Sequence, residues 1–341
     1  MKHLTSDRPT QALDSATGTS LTPVNRSEQL PNIRPATQIE EACKSWLVKS
    51  PSADTRSNYS RDLAQFLVFA GFRADEVERL PEIRPHHVAA WRDVLLARGL
   101  ANSSIVRKMT VLRSLFSYLQ TYGYVGANPA HSDFVAAPAV PRDGKTVGLT
   151  PEDCRRLLDA PSSESPTGIR DRAMLAVLAY TGCRVGELTR LRVGDYLQTG
   201  GHRVLNIRGK GGKERRVPLH AEAVERLEAW LAASEIGGDS PGAMFRPPKT
   251  SRLAGRDGFV ARFLTRRAIQ SLVKNYVLSL GLDSHVTVHS LRVTALTTAR
   301  ERGSDIIDLQ DFAGHADPRT TLSYIRSRDR LSKSPAYVLR Y

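Results

Sequence analysis

Apolar residues recur along this chain at helix-face spacing far more often than in the alternation of strands. Through Thr55–Ala70, Tyr59, Leu63, Phe66 and Ala70 repeat at three- and four-residue steps. Ile105, Met109, Leu112, Phe116 and Leu119 do the same after Asn102-Ser103, either of which can cap a helix. This pattern holds from Thr37 to about Pro129. Thr150-Pro151 then offers an N-cap and a first-turn proline, and Thr181-Gly182 breaks the apolar segment Ala173–Tyr180. A further helix is expected around Phe263–Leu278. Strand patterning is confined to Val204–Arg208 and Arg215–Leu219, joined by Gly209-Lys210-Gly211-Gly212, a hairpin with Lys210 at its tip. Near the end, Gly303 can stop a helix and Ser304 can cap the next, with Ile306, Leu309 and Ala313 at helical spacing. Gly314 is a candidate C′ residue, and Asp317-Pro318 opens a last helix. The expected fold class is mainly α with a small β-hairpin or sheet (α+β).

The chain has 341 residues, enough for two domains with their own cores. Residues 1–35, rich in Thr, Ser, Pro and Asn, read as a flexible tail. A helical domain is expected over 36–130 and a linker over 131–148, where Ala, Pro and charged groups concentrate. The second domain is expected over 149–330, with a tail over 331–341 that is apolar enough to dock, in cis or on a neighbouring copy.

Charge narrows the partner. The formal net charge is +14 and the pI about 10.0, which points to a polyanion, a generally basic protein being the plainer alternative. Cys43, Cys154 and Cys183 are odd in number and far apart, with no CxxC or HExxH. Neither a disulfide framework nor a metal site is therefore expected, and a reducing cytoplasm is the natural compartment. No apolar run reaches the roughly eighteen residues that span a bilayer, and the N-terminus lacks an apolar signal core. Gly209–Lys213 lacks P-loop spacing, so a nucleotide site there is excluded.

Candidate chemistry gathers in two regions. His289 and Arg292 stand at i and i+3 and so share a helix face. Arg184 starts a helix just past Gly182, where free backbone N–H groups and the helix dipole favour an anion, and Glu187 is placed one turn on to orient it. His315 follows the Gly314 turn, and Tyr324 lies about two turns into the last helix. Alone, a His or Tyr on a helix is usually a satisfied core residue. Together, at these spacings, the groups suit a phosphate that is clamped and then attacked.

The set Arg184, Lys210, His289-x-x-Arg292, Gly314-His315 and Tyr324 resembles the tyrosine recombinase (phage integrase) family, including the Xer-type enzymes, over about Leu149–Arg330. The helical stretch ending in Asn128-Pro129-Ala130 resembles that family's SAM-like core-binding domain. The resemblance implies a two-domain clamp around double-stranded DNA that cuts and rejoins strands through a covalent 3′-phosphotyrosyl link, without cofactor or metal. It makes Tyr324 the nucleophile, Arg184, Arg292 and His315 ligands of the phosphoryl oxygens, Lys210 the acid for the leaving oxygen and His289 the base, with Glu187 behind Arg184. A tetramer on DNA, with accessory proteins or a partner recombinase, is the implied assembly. Candidate DNA contacts are Arg107, Lys108 and Arg113 in the first domain and Arg208, Lys213, Arg262, Arg266 and Arg267 in the second, with Arg252 and Arg256 nearby. One departure is Val293, where many members carry a second His. A catalytically silent DNA-binding regulator and a type IB topoisomerase-like relaxing enzyme are the competing readings.

Overall fold

Each periodic stretch becomes a helix, and among the described residues the helices assemble around two large cores and a small cluster of Leu296, Leu309 and Ala313. The computed structural model describes residues 35–140, 146–249 and 258–324. The chain divides into two compact units, one running to Val140 and the other starting at Pro141. The expected tails, Arg252 and Arg256 lie outside the described residues.

The first unit contains α1 (Pro35–Val48), α2 (Ala53–Phe69), α3 (Pro85–Ala97) and α4 (Asn102–Thr121). Ile105, Met109, Leu112, Phe116 and Leu119 of α4 are all fully buried, as their spacing requires. They pack with Phe66 of α2 and Trp91 of α3, whose rings meet edge to face at 5.1 Å. Neither Asn102 nor Ser103 caps α4. Ala101 holds that position without a side-chain bond, and Asn102 instead donates through Nδ2 to the Ala139 carbonyl at 2.7 Å. Ala130 and Val135 are buried in this same core, so the segment after Pro129 packs against α4.

The second unit begins with α5 (Pro151–Asp159), capped by the Thr150 hydroxyl, which accepts from Asp153 N. It continues through α6 (Pro166–Thr181) and the single-turn α7 (Val185–Leu188). A sheet of β1 (Tyr196–Thr199), β2 (His202–Arg208) and β3 (Glu214–Pro218) follows. The rest is α8 (Ala221–Ser234), α9 (Arg266–Ser279), α10 (Val288–Glu301), α11 (Ile306–Ala313) and α12 (Pro318–Tyr324). Residues Ala173–Leu178 of α6 are buried on every side, which makes α6 the central helix, packed on α8 and α10.

The sheet is antiparallel in the order β1-β2-β3, with Leu205 opposite Val217 and Ile207 opposite Arg215. It has a third strand beyond the expected hairpin. β1 is almost wholly exposed and so carries no apolar alternation to announce it. Gly211 and Gly212 take left-handed φ values of 75° and 77° in the turn between β2 and β3. The cap of α11 is Asp305, whose carboxylate accepts from Ile307 N at 2.8 Å, not Ser304 one residue earlier. Among the described residues, no helix is long and apolar enough to cross a membrane.

Candidate active site

The site is built outward from one buried carboxylate. Gly182 ends α6 in the left-handed conformation (φ 57°), and the chain turns at once into α7. This puts Arg184 at the cap of α7 and Glu187 on its last turn. The Glu187 side chain is 2 % exposed. Its Oε2 accepts from the Arg184 amide at 2.9 Å and from Arg215 Nη2 at 2.8 Å, while Oε1 accepts from Arg184 Nη1 at 2.9 Å. Burial alone would raise the Glu187 pKa, but the hydrogen bonds from Arg215 and Arg184 outweigh it and hold the carboxyl below its ordinary value. Arg184 is thereby aimed, with 40 % of its side chain still exposed to meet a partner.

Arg215 is a site residue whose place in a strand conceals it in the sequence. Besides Glu187, it donates through Nε to the Phe312 carbonyl at 2.9 Å, just before the Gly314 turn. It therefore ties β3, α7 and the end of α11 together. A signal was present: Arg215 shares its strand face with buried Val217, and a cation on an inward face implies a buried acid.

Arg292, on α10, is 1 % exposed. Its guanidinium donates to the Gly182 carbonyl, to the Ala313 carbonyl at 2.7 Å and to His315 Nε2 at 2.7 Å. Its Nε–H is buried without a partner among the described residues. Desolvation, then repulsion from Arg184, lowers its pKa to about 10, which leaves it charged at neutral pH. His315 is pinned at both ends of its backbone, its N–H donating to the Gln310 carbonyl and its carbonyl accepting from Gln310 Nε2, both at 3.0 Å. Burial and the neighbouring Arg292 push its pKa down to about 4, so the ring is neutral. A guanidinium only donates, so Nε2 is the accepting nitrogen. Nδ1 then carries the proton and donates to the Thr321 hydroxyl at 2.9 Å. The donor role expected of His315 toward a phosphoryl oxygen requires the other tautomer.

Tyr324 sits among these groups. Its ring lies 5.2 Å from the His289 ring and 5.1 Å from the His315 ring, with the Arg292 guanidinium 5.5 Å from its centroid. Its carbonyl accepts from Thr297 Oγ1 at 3.2 Å, fixing the end of α12 on α10. His289 stays accessible, and partial desolvation followed by repulsion from Arg292 and Arg184 lowers its pKa, leaving it a neutral base. Lys210 lies in the short turn between β2 and β3. Val293 is buried in the packing of α10 and reaches no site group through any described bond. Arg184, His289 and Arg292 line one open cavity of about 740 Å³ together with Arg267, Gln270 and Lys274 of α9. Three guanidiniums (Arg184, Arg215, Arg292) stand against the single carboxylate of Glu187, so the site favours an anion. Among the described residues, no group of three or more His, Cys, Asp or Glu could hold a metal ion.

Comparison with known proteins places the chain in a family. The model of the phage integrase family matches residues 148–330, and that of the phage integrase N-terminal SAM-like domain matches residues 46–123. Tyrosine recombinase XerC of Pelobacter propionicus is 32% identical over 283 residues, covering 82% of this chain and 87% of the relative. XerC of Xanthomonas campestris pv. campestris (strain B100) is 32% identical over 276 residues, 80% of this chain and 78% of the relative. The chain belongs to the phage integrase family of tyrosine recombinases. Two solved structures share the recombinase fold. XerH bound to palindromic difH substrate superposes with TM-score 0.61 at 21% identity, over 85% of this chain and 80% of that one. A lambda integrase dimer bound to a COC′ core site gives 0.59 at 18% identity, over 82% and 94%.

The recombinase's candidate DNA contacts fall into two groups. Lys108 and Arg113 are committed within the first unit and do not extend as free cations. Lys108 is buried and donates to Asp62 Oδ1 at 2.8 Å and Gln65 Oε1 at 2.5 Å. Arg113 donates to the carbonyls of Ala130 and Val135 at 2.9 and 2.8 Å. The polar side of α4 is covered by α2 and by the segment after Pro129, which a helical wheel does not show. Arg107 also pairs with Asp62 but keeps 48% of its side chain exposed. In the second unit Arg208 bridges Asp195 and Glu214 at 2.8 and 2.9 Å and is 42% exposed, while Lys213 and Arg262 are exposed. Arg266 lies over Gly186, where an added Cβ would come within 3.0 Å of its Nε. Arg267 faces the cavity.

Proposed function

We propose that this recombinase cuts and rejoins double-stranded DNA at a specific site through a covalent bond to Tyr324. The placement of the Tyr324 ring between His289, His315 and Arg292 carries this reading. Tyr324 Oη attacks the scissile phosphorus as the bond to the 5′-oxygen breaks, leaving a 3′-phosphotyrosyl link and a 5′-hydroxyl. His289 takes the phenolic proton, and Lys210 supplies a proton to the departing oxygen. Arg184 and Arg292 hold the non-bridging oxygens, on which charge grows in the transition state. Glu187 and Arg215 hold Arg184 in place. A 5′-hydroxyl from a second strand reverses the attack. The bond energy is conserved in the phosphotyrosine, so the step consumes no nucleotide. Arg107, Arg208, Lys213, Arg262, Arg266 and Arg267 supply contacts to the phosphate backbone. By resemblance to the family, the proposed active assembly is a tetramer on two sites, with or without accessory proteins, and the proposed compartment is the cytoplasm.

The test is covalent trapping on nicked duplexes tiled across DNA flanking the protein's own gene. The unaltered chain forms a denaturation-resistant adduct, and Tyr324→Phe binds the same duplex without forming one. An adduct that persists in Tyr324→Phe places the nucleophile elsewhere. Tight binding by the unaltered chain with no adduct on any duplex favours the silent regulator.

A further inference from the structure

In the described geometry His315 has its Nε2 occupied as an acceptor of the Arg292 N–H at 2.7 Å, so it has no proton to offer a phosphoryl oxygen. Among the described residues, the only other polar contact of that ring is Thr321 Oγ1, 2.9 Å from Nδ1. Thr321 is fully buried, and it lies on α12 one turn before Tyr324. A hydroxyl both accepts and donates by rotating about one bond, which the Arg292 guanidinium on the other nitrogen, a donor only, does not do. We propose that Thr321 is a positioning residue that sets the tautomer of His315, accepting from Nδ1–H while Arg292 holds Nε2 and donating to Nδ1 once Arg292 turns to the phosphate.

Two observations drive the exchange. A phosphate oxygen is a stronger acceptor for a guanidinium than a neutral imidazole nitrogen, because the bond is charge-assisted. Arg292 also has one buried N–H, at Nε, with no partner among the described residues, so its present bonds leave donor capacity for an oxygen-rich ligand. When Arg292 Nη2 moves to the phosphate, Nε2 loses its donor. The ring loses the Nδ1 proton and gains one at Nε2 by exchange with solvent, so its charge is unchanged. The Thr321 hydroxyl turns to donate to Nδ1, and Nε2–H faces the phosphoryl oxygen. His315 thereby becomes a donor only when substrate has drawn Arg292 away.

This inference rests on the recombinase reading above, and its test separates the two. Adduct formation is measured in single turnover on the nicked duplex that traps the unaltered chain. Thr321→Val keeps the shape and loses the hydroxyl. It is expected to slow adduct formation about ten- to a hundredfold, by analogy with the loss when the hydrogen-bond partner of a metal-ligating histidine is removed, with duplex affinity unchanged. Thr321→Ser restores the rate. In a His315→Ala background Thr321→Val has no further effect, because it acts only through that ring. Nitrogen-15 spectra of histidine in the full-length Tyr324→Phe chain show the proton on Nδ1 without DNA and on Nε2 with the duplex, a readout that does not depend on the Thr321 variants folding. A Thr321→Val rate within about twofold of the unaltered chain refutes the proposal while leaving the recombinase reading intact. So does the same slowing in both His315 backgrounds, one tautomer with and without DNA, or a doubly protonated ring in the complex. No adduct from the unaltered chain refutes both.

Discussion

Replacing Arg215 by Ala tests whether one side chain holds three parts of the site together. The substitution removes a donor 2.8 Å from Glu187 Oε2 and another 2.9 Å from the Phe312 carbonyl. Glu187 stays buried, with Arg184 bonded to it and the Arg292 charge nearby. Breaking a buried ion pair from one side costs about 3–5 kcal/mol. Arg215 is 12 % exposed and Glu187 keeps the two Arg184 bonds, so the lower end, about 3 kcal/mol, applies here. For a unit of this size each kcal/mol lowers the melting temperature by about 2–4 °C, giving a drop of about 6–12 °C. The pH dependence has a definite sign. In the intact protein the depressed Glu187 pKa adds stability above the carboxylate range, and that stability is lost as pH falls through the depressed value. In the variant, burial is no longer outweighed and the pKa climbs. The deficit against the intact protein is therefore largest at neutral pH and narrows as pH drops through the carboxylate range. Thermal melts followed by circular dichroism at pH 7 and in acid measure both quantities, and Arg215→Lys, which cannot span both acceptors with one planar fork, recovers only part of the loss. A variant melting within about 2 °C of the intact protein at pH 7, or a deficit that widens in acid, refutes the role given to Arg215.

Arg184→Ala, at a residue already 40 % exposed, is expected to leave the fold intact and slow adduct formation about a hundredfold; a loss under about tenfold removes Arg184 from the clamp. Lys210→Ala is expected to recover its rate on a duplex whose 5′-bridging oxygen is replaced by sulfur, a leaving group that needs no proton, and an unchanged defect on that duplex argues against a general acid at this position. Gly314→Ala places a side chain at φ 62° and a Cβ 3.0 Å from Arg215 Nη1, so the protein loses about 1–2 kcal/mol from the left-handed backbone alone. Equal denaturation midpoints for Gly314→Ala and the unaltered chain rule that out.

What the chain states locally, it states clearly. The repeat Ile105, Met109, Leu112, Phe116, Leu119 dictates which face of α4 is buried, because side-chain direction on a helix follows from spacing alone. Thr150-Pro151, Gly182 and Gly314 mark helix ends because capping and left-handed backbone are properties of single residues and their nearest neighbours. His289 and Arg292 share a face for the same reason. Where two local signals compete, the sequence is ambiguous. Ser304 and Asp305 are both good caps, and the chain uses the second. Neither Asn102 nor Ser103 caps α4, since Asn102 reaches the Ala139 carbonyl instead.

Partner choice across the fold is decided elsewhere. Lys108 and Arg113 look solvated on a helical wheel, yet Asp62, Gln65 and the carbonyls of Ala130 and Val135 claim them, from positions that only tertiary packing brings near. Strand β1 leaves no mark because it is an exposed edge, held by backbone bonds that carry no side-chain signature. Arg215 meets Glu187 across 28 residues and Phe312 across 97, and His315 meets Arg292 across 23. Spacing selects the residue types that chemistry needs. The acceptor each N–H finds, and hence which nitrogen of His315 holds the proton, depends on distances between elements that no local pattern encodes.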